Sequence, residues 1–214
     1  MTTPAPIPHP DADTALVNAG SALPSTEDRS VSMGAANVYA LLLMGPVCAA
    51  LAAAFVGLHG GEALWDGAGR VFGTPLTFVA VFLVGVVVHE AIHGVAWKLA
   101  SGEPWRALRF GVQLKTLTPY AHCTEPMSAR AYRAGAAAPG VALGLAPVLV
   151  ALVTGNGALA AFGLFFTLAA GGDALVLWLL RGVAPDRLVA DHPTLAGCLV
   201  LAPTGAPTDA VPAP

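Results

Sequence analysis

Apolar and polar positions are spread very unevenly along the chain. Four stretches, from about Ala35 to Leu58, Val71 to Trp97, Tyr132 to Val153 and Ala158 to Leu180, hold almost no ionisable groups. Each is near or beyond the ~20 residues that an α-helix needs to cross the hydrocarbon layer, so the pattern predicts four transmembrane helices. Gly45-Pro46, Gly85 and Ala146-Pro147 fall inside these stretches. In a soluble helix they would argue against the assignment, whereas in a membrane bundle neighbouring helices re-satisfy the backbone groups they free. Gly135, Gly140 and Gly144 offer small surfaces for close helix contact.

Between the second and third stretches the pattern changes. In LRFGVQLKTL, Phe110, Val112 and Leu114 alternate with their neighbours, which predicts a short strand over 108–117. The following TPYAHC returns as a second strand or runs extended at the membrane surface, and a plain amphipathic connector is the alternative. Residues 1–34 are rich in Pro and acidic side chains and lack the basic start and early apolar core of a signal peptide. They are expected to form a disordered cytoplasmic tail. The apolar run Leu195–Leu201 is too short to cross a bilayer and is expected to dock ahead of a disordered tail over 201–214. The expected architecture is an all-α membrane protein with about four transmembrane helices, a short β-like cytoplasmic loop element, and a membrane domain over residues 35–200.

Composition supports this class. The chain is 56% hydrophobic and only 11% charged, where soluble domains carry about 25% charge. Its mean hydropathy is +0.69. Ten Lys and Arg, dispersed without a basic stripe, exclude nucleic acid and leave the lipid bilayer as the principal partner. Cys48, Cys123 and Cys198 stand far apart and predict no disulfide framework. The loop between the second and third stretches carries Lys98, Arg106, Arg109, Lys115 and Arg130 against Glu103 and Glu125. The positive-inside bias places it in the cytoplasm, together with both termini, and Arg181 and Arg187 after the last stretch agree. High Ala, Gly and Pro with Arg preferred over Lys suits a GC-rich prokaryotic genome, hence a prokaryotic cytoplasmic membrane.

The sharpest chemical signal is His89-Glu90-Ala91-Ile92-His93, which follows the apolar run FVAVFLVGVVV. On a helix the two histidines lie one turn apart on one side, so both imidazoles can reach one metal ion, and Glu90 beside them can take a proton from a metal-activated water. Ionisable groups in or beside a membrane helix are costly and default to functional sites. The bland alternative is an interfacial His-Glu-His cluster that anchors the helix end.

A catalytic zinc takes three protein ligands and keeps an open position. Asp173, in AGGDAL, is the one carboxylate of the fourth stretch, and the small residues before it allow close helix approach. It is the expected third ligand, with a polar packing contact as the alternative. A His, His, Asp set also accepts Mn, Co or Fe. His122 and Cys123 are either a ligand or orienting pair, or a satisfied loop histidine beside a buried thiol. Asp191-His192-Pro193 either docks against the site or caps a C-terminal segment. His59 and Glu62 fall on the opposite side of the membrane from the motif, which argues against their sharing its metal.

HEAIHG at the end of an apolar helix, the YAHCTEPMSARAY segment, GGD in the last membrane stretch and the DHPTLAGC segment together resemble the DUF3267 group. These are small integral membrane zincin peptidases related to the site-2 protease class of intramembrane metalloproteases. The resemblance covers about Val84 to Val200. It implies a zinc peptidase with His89 and His93 as ligands, Glu90 as catalytic base and Asp173 as the later ligand, acting on membrane or membrane-proximal peptide segments. One departure is that the related enzymes set their aspartate in Asp-Gly, whereas Gly-Gly-Asp-Ala stands here. A non-catalytic metal-binding membrane scaffold or transport-related protein remains the alternative reading of the same residues.

Overall fold

The computed structural model describes residues 25–113 and 118–202; residues 1–24 and 203–214 of the expected tails lie outside the described residues. Six helices form the body: α1 (Met33–His59), α2 (Gly61–Phe72), α3 (Pro75–Ser101), α4 (Ala129–Thr154), α5 (Gly157–Ala169) and α6 (Gly171–Leu179). Six strands accompany them: β1 (Ser25–Val31), β2 (Leu108–Gln113), β3 (Thr118–Cys123), β4 (Met127–Ser128), β5 (Leu188–Asp191) and β6 (Ala196–Leu201).

Helices α1, α3 and α4 are long and apolar enough to cross a membrane, and α5 with α6 makes a fourth such length, bent by 44°. Their boundaries follow local chemistry. The Ser32 hydroxyl accepts the Ala35 N–H to open α1. Thr74 and Thr77 exchange side-chain and backbone hydrogen bonds around Pro75 to open α3. Gly102, at φ 78°, closes α3 in the left-handed region where a Cβ is strained. Within α4, Pro147 has no N–H to offer the preceding turn, and the helix widens into a π turn over Gly140–Leu145, with the Ala146 N–H bonded to the Val141 carbonyl.

Three expectations change. The fourth predicted helix is two helices, because the ladder breaks at Ala170. A further helix, α2, fills what hydropathy left as a loop; Glu62, Asp66 and Arg70 lower its mean hydropathy while its apolar side packs on α5. Residues 25–31, placed by sequence within an unstructured tail, form a strand on β6. The docked segment at Leu195–Leu201 is largely β6 itself.

Strands β1, β6, β5 and β4 form one antiparallel sheet in that order, with Val189 opposite both Val200 and Met127. Of the alternatives open for this loop, the returning second strand is the one present, as β3 paired with β2, with Leu108 opposite Cys123 and Phe110 opposite Ala121. Its tip, 114–117, lies outside the described residues. The sheet and the hairpin base bury Met127, Val189, Cys198 and Val200 with Trp97, Tyr132 and Leu180 from the helix ends in one apolar cluster. At the other end, α2 and α5 touch through glycines. A Cβ on Gly67 would lie 2.0 Å from the Gly157 carbonyl carbon, and one on Gly157 would lie 1.7 Å from the Ala63 oxygen.

Because backbone cannot yield as a side-chain tip can, Gly67→Ala is expected to lower stability in detergent by about 1–3 kcal/mol. Gly69→Ala, which meets open space on the same helix, is expected to be neutral or stabilising by up to ~1 kcal/mol. Thermal unfolding followed by tryptophan fluorescence checks the pair.

Candidate metal centre

His89 and His93 project from one face in the second half of α3, their ring centroids 4.8 Å apart and inclined at 75°. Asp173 reaches between them from α6. Its Oδ2 is 3.1 Å from His89 Nε2 and its Oδ1 3.3 Å from His93 Nε2. The break at Ala170 puts Asp173 in the first turn of a new helix, where unpaired N–H groups and the macrodipole favour a negative charge.

His93 is also held from behind. Its Nδ1–H donates to the Gly135 carbonyl of α4 at 2.9 Å, and its ring stacks on Trp97 with centroids 5.1 Å apart. The Trp97 indole N–H in turn donates to the Tyr132 carbonyl. Glycine at 135 makes this possible, since a Cβ there would fall 2.1 Å from the indole. With the proton on Nδ1, the neutral ring offers its Nε2 lone pair to the Asp173 carboxylate. Two acceptors at that distance repel unless a proton or a metal cation lies between them. The donor atoms of His89, His93 and Asp173 all lie within 4.8 Å of one another. Two imidazole nitrogens and one carboxylate fit a catalytic zinc, which keeps a fourth position open.

Glu90 follows His89 by one residue and so faces a different neighbour, the hairpin. Its carboxylate accepts a hydrogen bond from the backbone amide of Ala121 in β3. The base predicted from sequence therefore sits beside the two histidines and under a strand edge.

The other sequence candidates divide. His122 and Asp191 meet each other instead of joining the centre: His122 Nδ1 is 2.5 Å from Asp191 Oδ2, and the Tyr132 hydroxyl donates to Asp191 Oδ1. Burial opposes charge on His122, but the hydrogen bond to Asp191 and the carboxylate charge outweigh it and hold the imidazole pKa above its ordinary value. Burial raises the Cys123 thiol and pushes Cys198 up to about 12, which leaves both as protonated core residues. His192 Nδ1 accepts the N–H groups of Thr194 and Leu195 and shapes the β5–β6 turn. His59 binds the Leu152 carbonyl at 2.8 Å, near the α2 end of the molecule and apart from the centre.

Trp97, Tyr132 and Ala121 were not singled out from sequence, and Gly135 was singled out only as a small surface for helix contact. The signal was nonetheless present at two of them, because Trp97 closes the second apolar stretch and Tyr132 opens the third. Such aromatics carry a polar handle that seeks a partner when buried. The C-terminal end of α6 is held by cations: Arg133 donates to the carbonyls of Leu180 and Val183, and Arg29 to that of Leu179.

Residues 82–187 match the model of the DUF3267 family, described as "Putative zincin peptidase". That segment contains the His89–Glu90–His93 turn, the hairpin and Asp173, and it ends short of the DHPTLAGC segment. No curated protein and no solved structure matches the chain.

A pKa raised on folding means that His122 holds its proton more tightly in the native state. Its contribution is complete below about pH 6.5 and is lost as pH climbs through the raised value. Melting temperature is therefore expected to fall over that interval, and the slope to flatten in His122→Gln. For the metal centre, detergent-purified protein is expected to hold about one zinc per chain. His93→Ala abolishes it and Asp173→Ala weakens it, as read by elemental analysis after identical treatment.

Proposed function

Proceeding from the match of residues 82–187 to a zincin peptidase family, we propose that the chain is a zinc-dependent, membrane-embedded endopeptidase that cleaves membrane or membrane-proximal segments. The observation that carries this reading is the His93 Nε2 lone pair held 3.3 Å from the Asp173 carboxylate, with His89 completing a donor set that calls for a cation. The ligands are His89, His93 and Asp173, and the general base is Glu90.

A zinc ion held there supplies Lewis acidity toward a water and a carbonyl oxygen. The residues of the chain do the rest. Glu90 receives a proton on its carboxylate and returns it to the departing amine, in an orientation set by the Ala121 amide. The Gly135 carbonyl keeps the His93 proton on Nδ1, so that Nε2 stays available as a donor atom. The apolar flanks of α3 and α6 limit water around the site. A transmembrane segment hides its carbonyls in its own hydrogen bonds, so it must unwind before cleavage. The β2–β3 hairpin beside Glu90 offers backbone groups to an extended segment.

The charge distribution supports an orientation with the hairpin and both termini in the cytoplasm and the body in a prokaryotic cytoplasmic membrane. The test uses Glu90→Gln. The variant is expected to keep its zinc while losing roughly 10²–10⁴-fold in cleavage of a panel of detergent-solubilised transmembrane peptides. A zinc-loaded wild type that cleaves nothing in the panel, with full biological function in Glu90→Gln cells, favours the non-catalytic scaffold instead.

A further inference from the structure

A two-stranded hairpin is marginal by itself, so β2–β3 keeps its place only through what it touches. It shares no ladder with the four-stranded sheet. On one side the Phe110 ring lies against α3 at Gly94, where a Cβ would fall 2.4 Å from its Cζ. On the other, His122 Nδ1–H donates to Asp191 Oδ2 of β5 at 2.5 Å, and the Tyr132 hydroxyl of α4 holds the remaining oxygen, Oδ1. Tyr132 is buried, and it stands one turn before Gly135, whose carbonyl holds His93. A carboxylate with both oxygens engaged has one orientation, so Asp191 ties the hairpin to the helix behind the metal-facing imidazole.

Strand register decides what that tie delivers. Pro119 stands opposite Val112 and has no N–H, so theirs is not a hydrogen-bonded pair. Antiparallel pairs alternate, which makes Phe110 and Ala121 a second pair of that kind and Arg109 and His122 a bonded one. The Ala121 N–H therefore points away from β2, and its partner is the Glu90 carboxylate of α3. Adjacent residues of one strand thus make two contacts: the amide of 121 reaches the base, and the side chain of 122 reaches Asp191. Around His122 stand Asp191, the Tyr132 hydroxyl behind it, Cys198 opposite Asp191 on β6, adjacent Cys123, and Arg109 opposite on β2 and exposed to solvent. Both thiols stay protonated, so among the described residues Asp191 supplies the charge that acts on His122.

We infer that Asp191 is a positioning residue for the proposed base: through His122 it holds β3 against α3, where the Ala121 amide keeps the Glu90 carboxylate in place beside His89 and His93. The inference rests on the peptidase reading above. Asp191 touches neither metal nor substrate in this role. A displacement of about 1 Å in a reacting group is nonetheless enough to cost on the order of 10²-fold in rate. The tie also has a direction with pH. Below the raised pKa of His122 the pair is charged and tight, and above it the imidazole is neutral and the bond weaker.

The test measures hydrogen exchange at single amides of the zinc-loaded, detergent-purified full chain. The Ala121 N–H has no ladder partner, so its protection reports the Glu90 contact, whereas the His122 N–H bonds across to Arg109 and reports the hairpin itself. Asp191→Ala is expected to lower Ala121 protection about tenfold or more while His122 keeps its protection and the zinc content holds. On a transmembrane peptide that the wild type cleaves, the same variant is expected to lose about 10–100-fold in kcat at nearly unchanged KM. His122→Gln still donates to Asp191 but does not titrate. It is expected to keep Ala121 protection and kcat, and to abolish the decline in both that the wild type shows as pH climbs through the raised value. Ala121 protection unmoved in Asp191→Ala overturns the inference. So does its loss together with that of His122, which marks Asp191 as a residue that only folds the hairpin, and so does a pH dependence of Ala121 protection that survives His122→Gln. A wild type that cleaves nothing while Ala121 protection responds as described overturns the peptidase reading and leaves the tie between Asp191 and Glu90 standing.

Discussion

The centre depends on a close approach of two apolar helices at Gly135. There the absence of a side chain admits the Trp97 indole, which stacks on His93 and allows the imidazole to reach a backbone carbonyl. Inside a membrane a helix carbonyl is normally spent on its own ladder. Here that of Gly135 lacks its ladder donor, because the residue four positions on is Pro139, and it accepts the His93 N–H instead and fixes the ring in one tautomer. The other ring nitrogen must then point at α6, where Asp173 stands. Removing the space at Gly135 would displace the indole first, then the ring, and only then the donor set, so a methyl group one helix away acts on a candidate metal site it never touches.

The sheet end holds this arrangement from outside. The Tyr132 backbone carbonyl takes the Trp97 N–H while its hydroxyl takes hold of Asp191, and Asp191 in turn pairs with His122 on the hairpin. The same strand presents its Ala121 amide to Glu90. Glu90 and the His93 imidazole are therefore positioned by one connected set of contacts running through β3, α4 and β5. Arg133 and Arg29, on the last carbonyls of α6, fix the helix that carries Asp173.

Much of this was legible in the sequence where the physics is local. Apolar length found the long helices, alternation found the first strand of the hairpin, and helical spacing put His89, Glu90 and His93 on neighbouring faces. Asp173 was found because a lone carboxylate in an apolar stretch is costly. What escaped depends on contacts across the chain. The break at Ala170 lies in a run whose hydropathy does not change, and α2 has too many charges for its mean hydropathy to register. Strand β1 exists because β6 offers it an edge, which no pattern within residues 25–31 announces. His122 and Asp191 were noticed separately, but their pairing needed the sheet register that brings β3 near β5.

The pairing of β1 with β6 also counts the membrane crossings. One strand precedes the first long helix and the other follows α6, yet they are hydrogen-bonded neighbours from Ser25 opposite Leu201 to Val31 opposite Ala196. Strands that flank the helical body and meet in one sheet lie on one side of any bilayer the helices cross, so the traverses between them are even in number. If α1, α3 and α4 each cross, the bent α5–α6 pair, apolar over its length despite a 44° turn, is the segment that would supply the fourth traverse. Short strand β4, between α3 and α4 in the chain and in the same sheet, obeys the same parity after two traverses.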